Sequence, residues 1–149
     1  MFEVLKYFGQ LSSLDKLAIC LLLAEKGFDK IKGDDSYKAS INSLSVVWGW
    51  LADEGVAADD IYSCLENEHD TGLAVYEYEA KRDPLLSTEL RSIIIAVSFG
   101  AWLAYQKEGQ KYVPPAIEEV DENTAFQCLD LLKKPNHIRM NSCRRLLIF

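Results

Sequence analysis

Residues 87–109 read STELRSIIIAVSFGAWLAYQKEG, and the reading of this stretch decides the fold. Ser87 or Thr88 can cap a helix and Gly109 can end it. Between them Ile93, Ile94, Ile95, Val97, Phe99, Trp102, Leu103 and Tyr105 leave almost no polar face. A helix that is apolar nearly all round belongs inside a larger body. The longest unbroken apolar run in the chain is only the eight residues Leu17 to Ala24, against roughly 20 for a membrane-spanning helix. The stretch therefore predicts the central, buried helix of a bundle, over about residues 87–108.

The flanking segments have the 3.6-residue period of helices that would surround it. Ser12-Ser13-Leu14-Asp15 resembles a capping box opening a helix to Lys26, with Gly27 as a left-handed stop. Its expected buried stripe is Leu14, Leu17, Ala18, Leu21 and Leu22, widened by Ile19 and Leu23. Tyr37, Ile41, Leu44, Trp48 and Leu51 predict a second helix from Ser36 to Glu54, ending at Gly55. Asp59 or Asp60 can open a shorter one through Ile61, Tyr62, Cys64 and Leu65. Residues 73–80, LAVYEYEA, alternate as a strand would but are read as helix, ended by Pro84. After the Pro114-Pro115 loop, Ala125, Phe126, Leu129 and Leu132 predict a last helix, stopped near Pro135. The fold class is all-α, a bundle of about six to seven helices in a single domain over 1–149, with a basic C-terminal tail at about 134–149.

A chain of 149 residues, 49% of them hydrophobic, can bury a core without a staple. The four cysteines, Cys20, Cys64, Cys128 and Cys143, lie far apart with no C-x-x-C pair, and MFEVLKYFG has too short an apolar run for a signal peptide. Both features predict reduced thiols and a cytoplasmic location. Net charge is −7, but residues 133–149 hold five bases and no acid, so the remainder sets 11 bases against 23 acids and carries −12. Such a body repels phosphate backbones, which excludes direct nucleic-acid binding outside the tail.

Catalytic patterns are each incomplete. Glu66-Asn67-Glu68-His69 has the Glu-x-x-His spacing of di-iron bundles, but a second such motif is missing: the other histidine, His137, follows Lys134 instead of a glutamate. Glu118-Glu119-Val120-Asp121-Glu122 matches the Glu-Glu-x-x-Glu half of a magnesium site in all-α pyrophosphohydrolases, but Asp130 is the only later acid. Acids in a solvated turn explain it better. Without a nucleophile and base, or a Gly-rich phosphate loop, the sequence predicts no catalytic residue, metal or cofactor and no enzyme.

One surface feature stands apart. From Ala39 to Ala80 the chain carries nine acids and no lysine or arginine. A solvated face is the plain reading, but unpaired acids repel one another, and a cationic partner would relieve that repulsion. The expected partner-binding residues are Asp53, Glu54, Asp59, Asp60, Glu66, Glu68 and Asp70, with Trp50. On a helical wheel Trp50 lies about 200° from Trp48 and on the face of Asp53, so Trp48 is expected in the core. Trp50 is expected either to pack a second neighbour or to anchor a partner.

The sequence also resembles a family of helical immunity proteins from bacterial polymorphic-toxin and contact-dependent growth-inhibition systems. The likeness lies in VVWGWLADEG (46–55), IYSCLENEHDTGL (61–73), AWLAYQKEG (101–109) and PPAIEEVDEN (114–123), and spans about residues 15–130. It implies a non-catalytic protein that binds a cognate toxin, commonly a nuclease, in the cell that makes it. A nuclease must offer a cationic groove to phosphate, and a carboxylate-rich surface can occupy that groove. The competing expectations are a helical adaptor or secretion chaperone gripping a peptide, and a divergent magnesium-dependent nucleotide hydrolase.

Overall fold

The computed structural model describes residues 2–131, with side chains from residue 6 onward. Among these residues are nine α-helices: α1 Phe2–Gln10, α2 Ser13–Glu25, α3 Phe28–Ile31, α4 Ser36–Leu51, α5 Ala58–Leu65, α6 Leu73–Glu79, α7 Pro84–Lys107, α8 Pro115–Glu118 and α9 Thr124–Leu131. No strand occurs among them. The all-α expectation holds, including a helix at 73–79. The stop near Pro135, His137 and the basic tail lie outside the described residues.

α7 is the axis. Its 24 residues, about 36 Å at 1.5 Å per residue, pack against α2, α3, α4, α5, α6, α8 and α9. Leu90, Ile93, Ala96, Val97, Phe99, Ala101 and Ala104 are fully buried. By length and hydropathy alone α7 would pass for a membrane-spanning helix; here the other helices of the chain cover it. It begins one turn earlier than expected, because Pro84 occupies its first position and does not end the preceding segment. Asp83 caps it by accepting from the Leu86 N–H at 3.2 Å. Proline suits that position, where its missing N–H would have had no partner.

The α2 stripe holds at Leu17, Leu21 and Leu23 but not at its edges, and the α4 stripe is rotated. In α2 Leu14 and Leu22 are exposed, while Lys16, Leu17, Cys20, Leu21, Leu23 and Ala24 face inward. Lys16 is tolerated there because Glu122 pairs with it at 3.3 Å and Phe126 lies beneath it. In α4 the buried line is Ser36, Ser40, Ser43, Val47 and Trp50. That is one residue, or about 100°, away from the expected Tyr37, Ile41, Leu44, Trp48 and Leu51. Of the latter only Leu44 is fully inside, and Ile41 is exposed. The inner line thus carries three serines, and at Val47 α4 lies against Gly100 of α7.

Gly27 ends α2 for a different reason from the one its sequence suggests. Its φ is −85°, in the ordinary right-handed region. A Cβ there would lie 1.5 Å from the carboxylate of Glu89, a buried α7 residue that pairs with Lys30 at 3.2 Å, so any larger residue would have to displace that carboxylate. α1 was not anticipated. Its Phe8 is fully buried and packs edge-on against Phe126 of α9.

Candidate partner-binding face

The acidic window folds into α4, α5, α6 and the two connections between them. At the first connection, α4 runs out at Leu51 and Asp53 and Gly55 reverse the chain with φ of 59° and 78°. Aspartate is among the few non-glycine residues that accept this region readily. α5 then starts under two carboxylates. Asp60 Oδ2 accepts from the Ala57 N–H at 2.9 Å, and Glu108, from the end of α7, accepts from the Ala58 N–H at 2.6 Å. Both sit at the positive end of the helix dipole. Asp59 Oδ1 accepts from the Tyr105 hydroxyl at 2.7 Å, and burial together with that bond pushes the Tyr105 phenol far up. This corner frames a solvent-open cavity of about 240 Å³ lined by Trp50, Asp53, Gly55, Val56, Lys107 and Glu108.

Trp50 packs inward. It is 9% exposed and belongs to the core cluster, with the Lys107 ammonium 5.8 Å from its ring centroid. Trp48 is the less buried of the two, and its indole N–H donates to Glu25 at 2.6 Å. Trp50 thus takes the packing alternative, while Trp48, expected in the core, is only partly buried against it.

The second connection, residues 66–72, is held by Asn67. Its Oδ1 accepts from the His69 N–H (2.9 Å), the Thr71 N–H (3.3 Å) and the Thr71 hydroxyl (3.2 Å), and its Nδ2 donates to the Ser63 carbonyl at 2.9 Å. Asp70 takes a left-handed φ of 53° and its N–H reaches the Asn67 carbonyl. At Gly72 a Cβ would lie 2.2 Å from the Leu65 carbonyl oxygen, so only glycine lets the loop close onto the end of α5. Glu66 Oε2 accepts from the Tyr62 hydroxyl at 2.7 Å, which pushes that phenol up to about 12. The loop leads into a groove of about 430 Å³ lined by Leu65, Glu66, Asn67, Asp70, Ala74, Val75 and Tyr78.

The structure therefore sorts the expected residues into two groups joined by α5. Asp53, Glu54, Asp59 and Asp60 form the α4–α5 corner; Glu66, Glu68 and Asp70 form the α5–α6 loop. All seven are exposed. Among the described residues none of Asp53, Glu54, Asp59, Asp60, Glu66 or Asp70 forms an ion pair, while Glu68 lies 3.8 Å from His69. The gap in bases is narrower in space than in sequence. Lys107 enters the corner, Arg91 pairs with Glu77 at 3.7 Å, and Lys81 lies 4.0 Å over the Tyr78 ring. Sequence reading missed Asn67, Tyr78, Lys107 and Glu108. Tyr78 was legible in the YEYEA pattern, whereas Lys107 and Glu108 arrive only through the tertiary fold.

The remaining acidic motifs have local duties. α5 ends at Leu65, so Glu66 and His69 share no helix face and cannot present the paired ligands of a di-iron helix. Glu122 pairs with Lys16 and accepts from the Ser13 hydroxyl, and Asp121 accepts from the Asn123 N–H at 2.8 Å. Among the described residues no three His, Cys, Asp or Glu side chains converge as a metal site would require.

What fold and face define is an all-helical protein whose distinctive surface is a preformed array of carboxylates flanking a short helix. The chain belongs to the Imm6 family of immunity proteins, whose family model, described as Immunity protein Imm6, matches residues 15–134. Comparisons with curated proteins and with solved structures give no match. Family membership makes it the immunity component of a toxin–immunity pair, and its partner is a cognate toxin.

Proposed function

We propose that this immunity protein neutralises a cationic toxin, a nuclease domain, by docking the corner and loop carboxylates of its acidic face into the toxin's phosphate-binding groove. The observation that carries this reading is the set of six exposed carboxylates, Asp53, Glu54, Asp59, Asp60, Glu66 and Asp70, that form no ion pair among the described residues. Holding like charges together costs free energy in the free chain, and a cationic surface recovers it. A basic groove that binds a phosphate backbone offers the complementary potential, and opposite charges raise the encounter rate to about 10⁸ M⁻¹s⁻¹ or more at low salt. Inhibition is stoichiometric, takes place in the cytoplasm of the toxin-producing cell, and belongs to a polymorphic-toxin or contact-dependent growth-inhibition system.

The loop geometry supports rapid docking, because Asn67 fixes its turn before any partner arrives and little ordering entropy is left to lose on binding. Asp59 and Asp60 also serve the free fold, one through Tyr105 and the other at the start of α5. Reversing either therefore confounds binding with folding. The clean probes are Asp53→Asn, Glu54→Gln, Glu68→Gln and Asp70→Asn, since asparagine tolerates the left-handed backbone at 53 and 70. The test is protection of cells expressing the cognate toxin, together with nuclease assays of the purified toxin. A toxin with no nuclease activity, or full protection by the fourfold variant, would overturn the reading.

A further inference from the structure

We infer that the groove between the α5–α6 loop and α6 is a pocket for a single arginine side chain presented by the partner, an inference that rests on the docking face proposed above. The chemistry of the rim selects the ligand. Several loop donors are used internally: the N–H groups of Glu66, His69, Asp70 and Thr71, the Thr71 hydroxyl and one N–H of the Asn67 amide reach acceptors within or just before the loop. Its acceptors are left over. Glu66 gives Oε2 to Tyr62, but among the described residues nothing donates to Glu66 Oε1 or to the Asp70 carboxylate. Two carboxylates with unused acceptor oxygens on one rim match a cation rich in donors, and guanidinium, with five N–H donors and no acceptor, is such a group.

The floor and wall select arginine over lysine. Leu65, Ala74 and Val75 line the groove with apolar surface against which a three-carbon stem can lie. Tyr78, 69% exposed, lines this groove and also the adjoining cavity of about 290 Å³, whereas Lys81, the cation already over its ring, lines only the latter. Guanidinium is planar, weakly hydrated and stacks on aromatic faces, while ammonium keeps its water. The volume, about 430 Å³, has room for the side chain and part of the backbone that carries it.

A titration on the full chain tests this without the toxin. Backbone amide shifts are followed by NMR while N-acetyl-arginine amide is added, with N-acetyl-lysine amide as the competitor chemistry. The expected result is saturable shifts confined to residues 65–78, at least about fivefold weaker for the lysine probe. The same loss is expected in Glu66→Gln/Asp70→Asn, a pair that keeps the Tyr62 bond and the left-handed turn, and in Tyr78→Ala. Asp53→Asn/Glu54→Gln should titrate as wild type. Shifts spread equally over residues 53–60, equal response to lysine, or no saturable shift would overturn the pocket. Failure of the docking face itself would appear separately, in the toxin-protection assay.

Discussion

Replacing Trp50 with alanine should lower the stability of the free protein and leave toxin recognition intact in the molecules that fold. The indole is 9% exposed, belongs to the core cluster and lies under the Lys107 ammonium at the junction of α4 with the end of α7. Truncating a buried tryptophan costs about 3–5 kcal/mol through lost burial and the void left behind. The corner cavity of about 240 Å³ already adjoins the ring. Water can therefore enter the vacated space, which points to the lower end, about 3 kcal/mol. At about 2–4 °C per kcal/mol for a chain of this size, the melting temperature should fall by about 6–12 °C. The assay is thermal denaturation followed by circular dichroism, paired with toxin-binding kinetics at a temperature where both proteins are folded. An unchanged melting temperature together with a loss of at least about 2 kcal/mol of binding, the signature of a hot-spot anchor, would refute the packing assignment.

Gly27→Ala should destabilise by at least about 2 kcal/mol, since the new Cβ displaces a buried carboxylate from its lysine; combined with Glu89→Ala it should cost less than the two single changes added, as read by chemical denaturation. The Tyr62 phenol is pushed up to about 12 because its hydroxyl donates to Glu66. The stability from that bond is present below the ordinary tyrosine pKa near 10 and is lost as pH rises from about 10 through 12. Tyr62→Phe should flatten the alkaline decline in stability measured across that window. Native-state alkylation followed by mass spectrometry should label Cys64 before Cys20 and Cys128. The latter two are buried, and a hydrogen bond with Cys20 together with burial raises the Cys128 thiol well above its usual range.

The sequence shows the fold class and its axis because Ile93 to Tyr105 admit only an interior position, and periodicity places α2, α4, α5 and α9 around it. It places Leu17, Leu21 and Leu23 of α2 correctly but misplaces the inner line of α4 by one residue. A hydropathy stripe ranks side chains by size and apolarity, whereas close helix packing favours small residues at the contact, so Ser36, Ser40 and Ser43 displace Tyr37 and Ile41 from the inner line. The carboxylates of the candidate face are legible as a charge imbalance. Their grouping is not, because Glu108, Lys107 and Arg91 join them from α7 across large sequence separations. The loop's rigidity escapes sequence reading too, since it depends on one asparagine making four hydrogen bonds at once.

The central claim is that the acidic face captures the toxin, and the association rate measures it most directly. The purified cognate toxin would be mixed with wild type and with Asp53→Asn/Glu54→Gln/Glu68→Gln/Asp70→Asn in stopped flow, at low and at physiological salt. The wild-type rate should fall steeply with salt, and the variant should associate at least about tenfold more slowly at low salt with a flatter salt dependence, its melting temperature unchanged. Equal association rates and equal salt dependence for the two proteins would contradict the account and leave the carboxylates as a solvated surface.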